Sequence, residues 1–189
     1  MITIEELYKI FIKHPHITTD SRQCSEGAIF FALKGDNFNG NKFAKIALEK
    51  GCAYAVIDEP QEEQDDRYLL TTNVLETLQK LAQYHRDQLT IPIIGITGTN
   101  GKTTTKELIA TVLKKNYNNH IGVPISILSI DSTHDIAVIE MGANHPKEIE
   151  FLTKISKPTC GLITNVGKAH LEGFGSLEGV INTKKELYD

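Results

Sequence analysis

Positive charge, cysteine and long apolar runs are all in short supply in this 189-residue sequence. Its 20 Lys and Arg face 24 Asp and Glu, a net charge of −4 with histidines neutral, so no global basic field draws in nucleic acid. Any anion has to be held by local groups. The cysteines are three, Cys24, Cys52 and Cys160. Their odd number, wide spacing and lack of a CxxC pair or paired histidines point to buried, reduced thiols rather than a metal or redox site. No stretch approaches the roughly 18 apolar residues that a membrane-spanning helix needs, and the N-terminal residues lack the zones of a signal peptide. The expectation is a cytoplasmic protein without membrane insertion. A composition of 40% hydrophobic and 23% charged residues excludes a disordered or fibrous chain, and neither repeats nor low-complexity tracts are present.

Periodicity divides what remains into alternating strands and helices. Thr3 and Glu6 form a capping-box pattern ahead of Leu7, Ile10 and Phe11 at helical spacing. Short apolar runs at Gly27–Leu33, Tyr54–Ile57 and Tyr68–Thr71 read as strands. Between the first two, Asn41–Lys50 reads as a helix with Phe43, Ile46 and Ala47 on one face, and Asn73 caps a further helix striped by Val74, Leu75, Leu78, Leu81 and Ala82. A first domain over residues 1–88 is expected to end there, with Pro92 closing a short connector. In the second domain, residues 89–189, the expected strands are Ile93–Thr97, Asp135–Met141 and Cys160–Val166. Its helices are Lys102–Lys115 with Leu108, Ile109, Val112 and Leu113 inward, a segment opened by Pro146 and carrying Ile149, Leu152 and Ile155, and a last one from Ser176 still running at Asp189. Such alternation implies an α/β fold with mostly parallel sheets.

The strongest chemical signal is Thr97-Gly98-Thr99-Asn100-Gly101-Lys102-Thr103-Thr104, between an expected strand and an expected helix. Glycines allow the backbone to approach phosphate oxygens, the helix start favours negative charge, Lys102 can reach the β and γ phosphates, and Thr103 offers the hydroxyl that such loops give to Mg²⁺. The spacing is a shortened variant of the usual phosphate loop, since Ile96 stands where the first glycine of GxxxxGK[ST] belongs. Gly98, Thr99, Asn100, Gly101, Lys102, Thr103 and Thr104 are therefore the expected contacts of a nucleotide's phosphates. Ligands of open parallel sheets lie beyond the carboxyl ends of the strands, which brings in Glu140, after the second strand, and His170, after the third. On residues alone, Glu140 is either a second metal ligand or an exposed strand-end acid, and His170 either a ligand or a solvated ring. Lys184 falls in the stripe of Leu177, Val180, Ile181, Leu187 and Tyr188, while Lys185 points away. A lysine so placed either snorkels or is desolvated, and a desolvated amine can take up carbon dioxide to become an anionic carbamate.

Taken together, these residues resemble the Mur ligases, the ATP-dependent amide-forming enzymes of peptidoglycan precursor synthesis. The likeness runs through Thr19-Asp20-Ser21-Arg22, Phe30-Phe31-Ala32-Leu33-Lys34-Gly35, the phosphate loop, Asn119-His120-Ile121-Gly122-Val123-Pro124, Met141–Pro146 and His170–Ser176. The later strings point to the member that adds D-alanyl-D-alanine to UDP-N-acetylmuramoyl-tripeptide. The resemblance implies an N-terminal domain for the UDP part of the substrate, with Ser21, Arg22, Lys34, Gly35, Asn39 and, near the muramoyl peptide, Asn119 and His120 as contacts. It implies a central ATPase domain in which Lys102 stabilises the transferred phosphoryl group and Thr103, Glu140, His170 and carbamylated Lys184 hold magnesium; Lys102, His170 and Lys184 are the expected catalytic residues. A closing third domain and several residues between Asn118 and Asn119 belong to the family pattern and are missing from this sequence, so no ligase turnover is expected of it alone, and a monomer is expected. Alternatives are another amino-acid ligase of the same family and a non-catalytic phosphate-loop module.

Overall fold

Thr3 opens the first helix by the reciprocal bonds its spacing anticipates. Its hydroxyl accepts from the Glu6 amide at 3.2 Å, and Glu6 Oε2 accepts from the Thr3 amide at 2.9 Å. The computed structural model describes residues 1–62, 65–109, 118–167 and 171–189. Helix α1 (Ile4–Lys13) leads to β1 (Ile17–Thr18), β2 (Ile29–Phe31) and a hairpin of β3 (Lys34–Gly35) and β4 (Phe38–Asn39). A 3₁₀ turn at Gly40–Phe43 runs into α2 (Ala44–Glu49), followed by β5 (Tyr54–Ile57), β6 (Tyr68–Leu70) and α3 (Val74–Gln88). Strands β1, β2, β5 and β6 form one sheet in that order, parallel throughout. Phe30, Ala32, Ala44, Ala47, Leu48, Ala55 and Ile57 close its core. Gly40 permits the hairpin to return, because a Cβ there would sit 2.5 Å from the backbone of Ala32 and Leu33.

The helix read over Asn41–Lys50 is thus part 3₁₀, and its phase differs from the expected one. Three residues per turn in the opening segment rotate the following turn, so Ala44, Ala47 and Leu48 are buried while Ile46 is exposed.

The chain divides into two compact units, Met1–Tyr84 and His85–Asp189. In the second, His85 Nε2 lies 2.8 Å from the Ile130 carbonyl, and Arg86 Nε donates to Ser156 O at 2.9 Å. Its elements are β7 (Ile93–Thr97), α4 (Lys102–Ile109), α5 (Gly122–Leu128), β8 (Ala137–Glu140), α6 (Glu148–Ser156), β9 (Cys160–Ile163), α7 (Leu171–Phe174) and α8 (Leu177–Lys185). The sheet order is β8-β7-β9, parallel, with Ile96 opposite Glu140 and Thr97 opposite Ile163. Gly95 leaves room in the central strand for Met141 Cε and Leu187 Cδ1, which a Cβ would meet at 2.5 and 3.1 Å.

Three expectations are corrected here. Leu108 is 82% exposed and Ile109 also faces outward, whereas Lys106 is only 4% exposed; α4 turns a polar edge toward β8, where an acid waits. Val112 and Leu113 lie outside the described residues. Helix α8 stops at Lys185 rather than running to Asp189: the Leu187 and Tyr188 amides bond three residues back, to Lys184 and Lys185 carbonyls, which tucks Leu187 inside and leaves Tyr188 exposed; Leu177, at the start of the helix, is exposed too. Of the thiols Cys52 is buried, Cys24 half-buried and Cys160 exposed, the last because it starts β9, an edge of the described sheet. Among the described residues no helix is long and apolar enough to cross a membrane.

Candidate functional site

Strand β7 has β8 on one side and β9 on the other, so the chain leaves its carboxyl end at the switch point where parallel sheets bind ligands. Gly98 follows at once with φ 149°, and a Cβ there would collide with Thr164 Oγ1; Gly101 has φ 77°. The loop is fastened to the segment after β9. Asn165 accepts the Thr99 amide on its carbonyl at 3.1 Å and the Asn100 amide on Oδ1 at 2.9 Å, and Thr164 Oγ1 donates to Asn100 O at 2.6 Å. Two amides read from the sequence as phosphate donors are therefore engaged by Asn165. The amides of Lys102, Thr103 and Thr104 open α4, where a helix's first turn leaves donors without intrahelical acceptors, and can seat an anion. Lys102 Nζ folds over the loop, donating to Gly98 O at 2.8 Å and more distantly to Thr99 O at 3.4 Å.

Glu140 ends β8 inside the protein rather than on its surface, which removes the reading of an exposed strand-end acid. Thr103 Oγ1 donates to its Oε2 at 3.0 Å, Asn118 Nδ2 to its Oε1 at 3.1 Å, and Lys106 Nζ stands 3.9 Å from Oε2. Paired hard oxygens from Thr103 and Glu140 fit a magnesium ion whose shell is completed by water and phosphate. Among the described residues no group of three or more His, Cys, Asp and Glu could hold a metal unaided. His170 lies outside the described residues.

Lys184 is 3% exposed, so it is desolvated rather than snorkelling. Burial first, and then the charge of Lys102, push its pKa down to about 8, and Nζ sits 5.9 Å from the Phe174 ring centre. It borders a cavity of about 510 Å³ also lined by Thr99, Lys102, Asn119, His120 and Glu148. Asn119 faces it while accepting the Ile121 and Gly122 amides at 3.1 and 2.8 Å, which opens α5. Glu148 accepts the amides of Asn144 and His145 at 2.6 and 3.1 Å. Burial works against its charge, yet those two bonds prevail and hold the carboxyl below its ordinary value.

In the first unit the remaining expected residues fall into two groups. Arg22 makes a fork to Asp20, with Nε to Oδ1 at 2.9 Å and Nη2 to Oδ2 at 2.8 Å, and those bonds hold the Asp20 carboxyl at about 2. Ser21 offers its carbonyl to Lys50 Nζ at 3.0 Å. Lys34 and Gly35 on β3 and Asn39 on β4 share one hairpin: Lys34 Nζ reaches Asp58 and Glu59 at 2.8 and 2.9 Å, and Asn39 Nδ2 donates to Glu59 Oε2 at 3.0 Å. Because β1, β2 and β5 are parallel neighbours, the segments carrying Asp20, Lys34 and Asp58 leave the sheet at one edge.

Lys106, Asn118 and Thr164 were not found by sequence reasoning. Their only sequence mark is proximity to the phosphate loop or to strand ends.

Two family descriptions match the chain, "Mur ligase family, catalytic domain" over residues 14–96 and "Mur ligase middle domain" over residues 96–189. Curated relatives include the UDP-N-acetylmuramoyl-tripeptide--D-alanyl-D-alanine ligases of Synechocystis, 42% identical over 93% of this chain and 41% of the relative, and of Escherichia coli, 36% identical over 91% and 40%. Among solved structures, MurF from Acinetobacter baumannii superposes with a TM-score of 0.83 at 36% identity, covering 92% of this chain and 40% of that one. The MurF ligase of Thermotoga maritima in complex with ADP gives 0.79 at 35%, covering 91% and 42%. The chain spans about two fifths of the length of these relatives.

Proposed function

The chain belongs to the Mur ligase family, and from that premise we propose that it serves the ATP-dependent joining of D-alanyl-D-alanine to UDP-N-acetylmuramoyl-tripeptide. Residues 1–88 take the uridine diphosphate and residues 89–189 take ATP. The observation that carries the reading is the bond from Thr103 to buried Glu140 at 3.0 Å, which ties the phosphate loop to a second oxygen ligand at the carboxyl edge of the sheet. The curated relatives named for that ligation supply the substrates.

In the proposed reaction the tripeptide carboxylate attacks the γ phosphorus of ATP, the bond to ADP breaks, and an acyl phosphate forms. The dipeptide amine then attacks the acyl carbon, releasing phosphate and a proton. Lys102 exchanges its carbonyl contacts for phosphate oxygens and stabilises their charge. The helix-opening amides hold the same group, and Lys184, as amine plus carbon dioxide giving carbamate and a proton, becomes an anionic oxygen donor. His170 is the further ligand of this set. Thr103 and Glu140 would hold magnesium, which when bound would neutralise phosphate charge and so let a carboxylate approach a polyphosphate. In the first unit Ser21, Arg22, Lys34, Gly35 and Asn39 hold the diphosphate; in the second, Asn119 and His120 contact the muramoyl peptide. The setting is the cytoplasm and the working form a monomer.

Calorimetric titration with UDP-N-acetylmuramoyl-tripeptide tests this reading on the chain and on Arg22→Ala. Saturable binding that weakens in the variant is expected. Binding of ATP with no response to the uridine substrate would favour a phosphate-loop module instead.

A further inference from the structure

Glu140 is buried between two hydrogen-bond donors, Thr103 and Asn118, and an ion-paired cation, Lys106, that has no place in the reaction described above. Lys106 lies three residues beyond Thr103 on α4, hence on the same helix face. Both address a single oxygen, Glu140 Oε2, the hydroxyl at 3.0 Å and the ammonium at 3.9 Å, while Asn118 holds the other oxygen at 3.1 Å. Lys106 and Glu140 side chains are 5% and 3% exposed. A carboxylate this far from water needs a counter-charge, since removing one partner of a buried pair leaves the other uncompensated. The lysine stem also spends its length inside, where a surface lysine would reach solvent.

We infer that Lys106 is a positioning residue that supplies the counter-charge of Glu140 in the ion-free protein and keeps a free divalent cation out of that site until one arrives with a nucleotide. The inference rests on the proposed nucleotide-binding role. Its logic is charge balance. Among the described residues Glu140 and Lys106 balance each other and Lys102 adds a positive charge on the neighbouring loop, so a bare divalent cation finds no excess negative charge there. A metal–nucleotide complex carries net negative charge, is attracted by Lys102 and by the opening of α4, and brings its own oxygens to complete the metal shell. Lys106 then sets Glu140 in the orientation that Thr103 shares, so that the carboxylate does not have to be rotated into place.

The test uses Mn²⁺ as the probe, followed by the electron paramagnetic resonance of the free ion, on the 189-residue chain with and without ADP. Lys106→Gln removes the charge of the ion pair and keeps a polar side chain, and Lys106→Met removes the charge and the polarity. Without ADP, each is expected to bind Mn²⁺ about tenfold or more tightly than the unmodified chain, with a thermal midpoint that Mn²⁺ raises further than in the unmodified chain. Lys106→Arg, which keeps the charge, is expected to exclude free Mn²⁺ as the lysine does. Equal Mn²⁺ affinity of the unmodified chain and Lys106→Gln overturns the inference. Tight Mn²⁺ binding by the unmodified chain without nucleotide does so too, and that arm needs no variant to fold. Failure of ADP to bind the folded chain overturns both this inference and the proposed function, whereas ADP binding with Mn²⁺ uptake indifferent to residue 106 overturns this inference alone.

Discussion

The two units handle charge in opposite ways. In His85–Asp189 the charged groups around Glu140 are buried, as in the contacts of Thr103, Lys106 and Asn118 with Glu140. In Met1–Tyr84 the cations proposed to hold a diphosphate are more exposed, and each is paired with carboxylates. Arg22, whose side chain is 85% exposed, pairs with Asp20, and Lys34 pairs with Asp58 and Glu59. Buried pairs are set by folding and preorganise the site, but they also couple it to stability. Exposed pairs contribute little to stability, so a ligand phosphate can replace the carboxylate with small disturbance. On the proposed function, activity and stability share residues in the second unit and are separable in the first.

The most severe way to break this contrast is Glu140→Gln. It leaves Lys106 buried without its counter-charge, and a loss of about 3 kcal/mol is expected from urea denaturation. A loss within error of zero would mean that the pair is not structural.

How much of this was legible in the sequence follows the same division. Strand β7, its phosphate loop and the inward phase of Lys184 were readable, because local periodicity and glycine placement determine them. The face of α4 was not. Leu108 and Ile109 are apolar and suggested an inward stripe, but the acid that draws Lys106 inside is on β8, and no local pattern reports it. Helix α5 was not read from the sequence; it holds Pro124 in its first turn, where proline loses no helix hydrogen bond. The engagement of the Thr99 and Asn100 amides by Asn165 is likewise a tertiary fact.

A smaller effect is expected from Lys184→Met, read as the pH dependence of melting. The folded chain holds this amine at about 8 against an ordinary 10.5. Between those values the unfolded chain binds more protons, so stability rises with pH through that window and falls as pH drops toward 8. The methionine variant is expected to melt higher at pH 7 and to lack that rise. A parallel profile in both proteins would place the amine in water instead.

The smallest effect on stability is expected from Arg22→Ala, whose midpoint should match that of the unmodified chain. Its affinity for the uridine substrate should nevertheless fall about tenfold, with a weaker dependence on salt. A large drop in midpoint would erase the distinction between the units.

The central claim is that the loop from Gly98 to Thr104 seats a nucleotide polyphosphate at the carboxyl edge of β7. Calorimetric titration of ADP with Mg²⁺ into the chain and into Lys102→Ala tests it most directly. Saturable binding that weakens about a hundredfold in the variant is the expected result. Equal affinity in both proteins, or no binding to the folded chain, would contradict it.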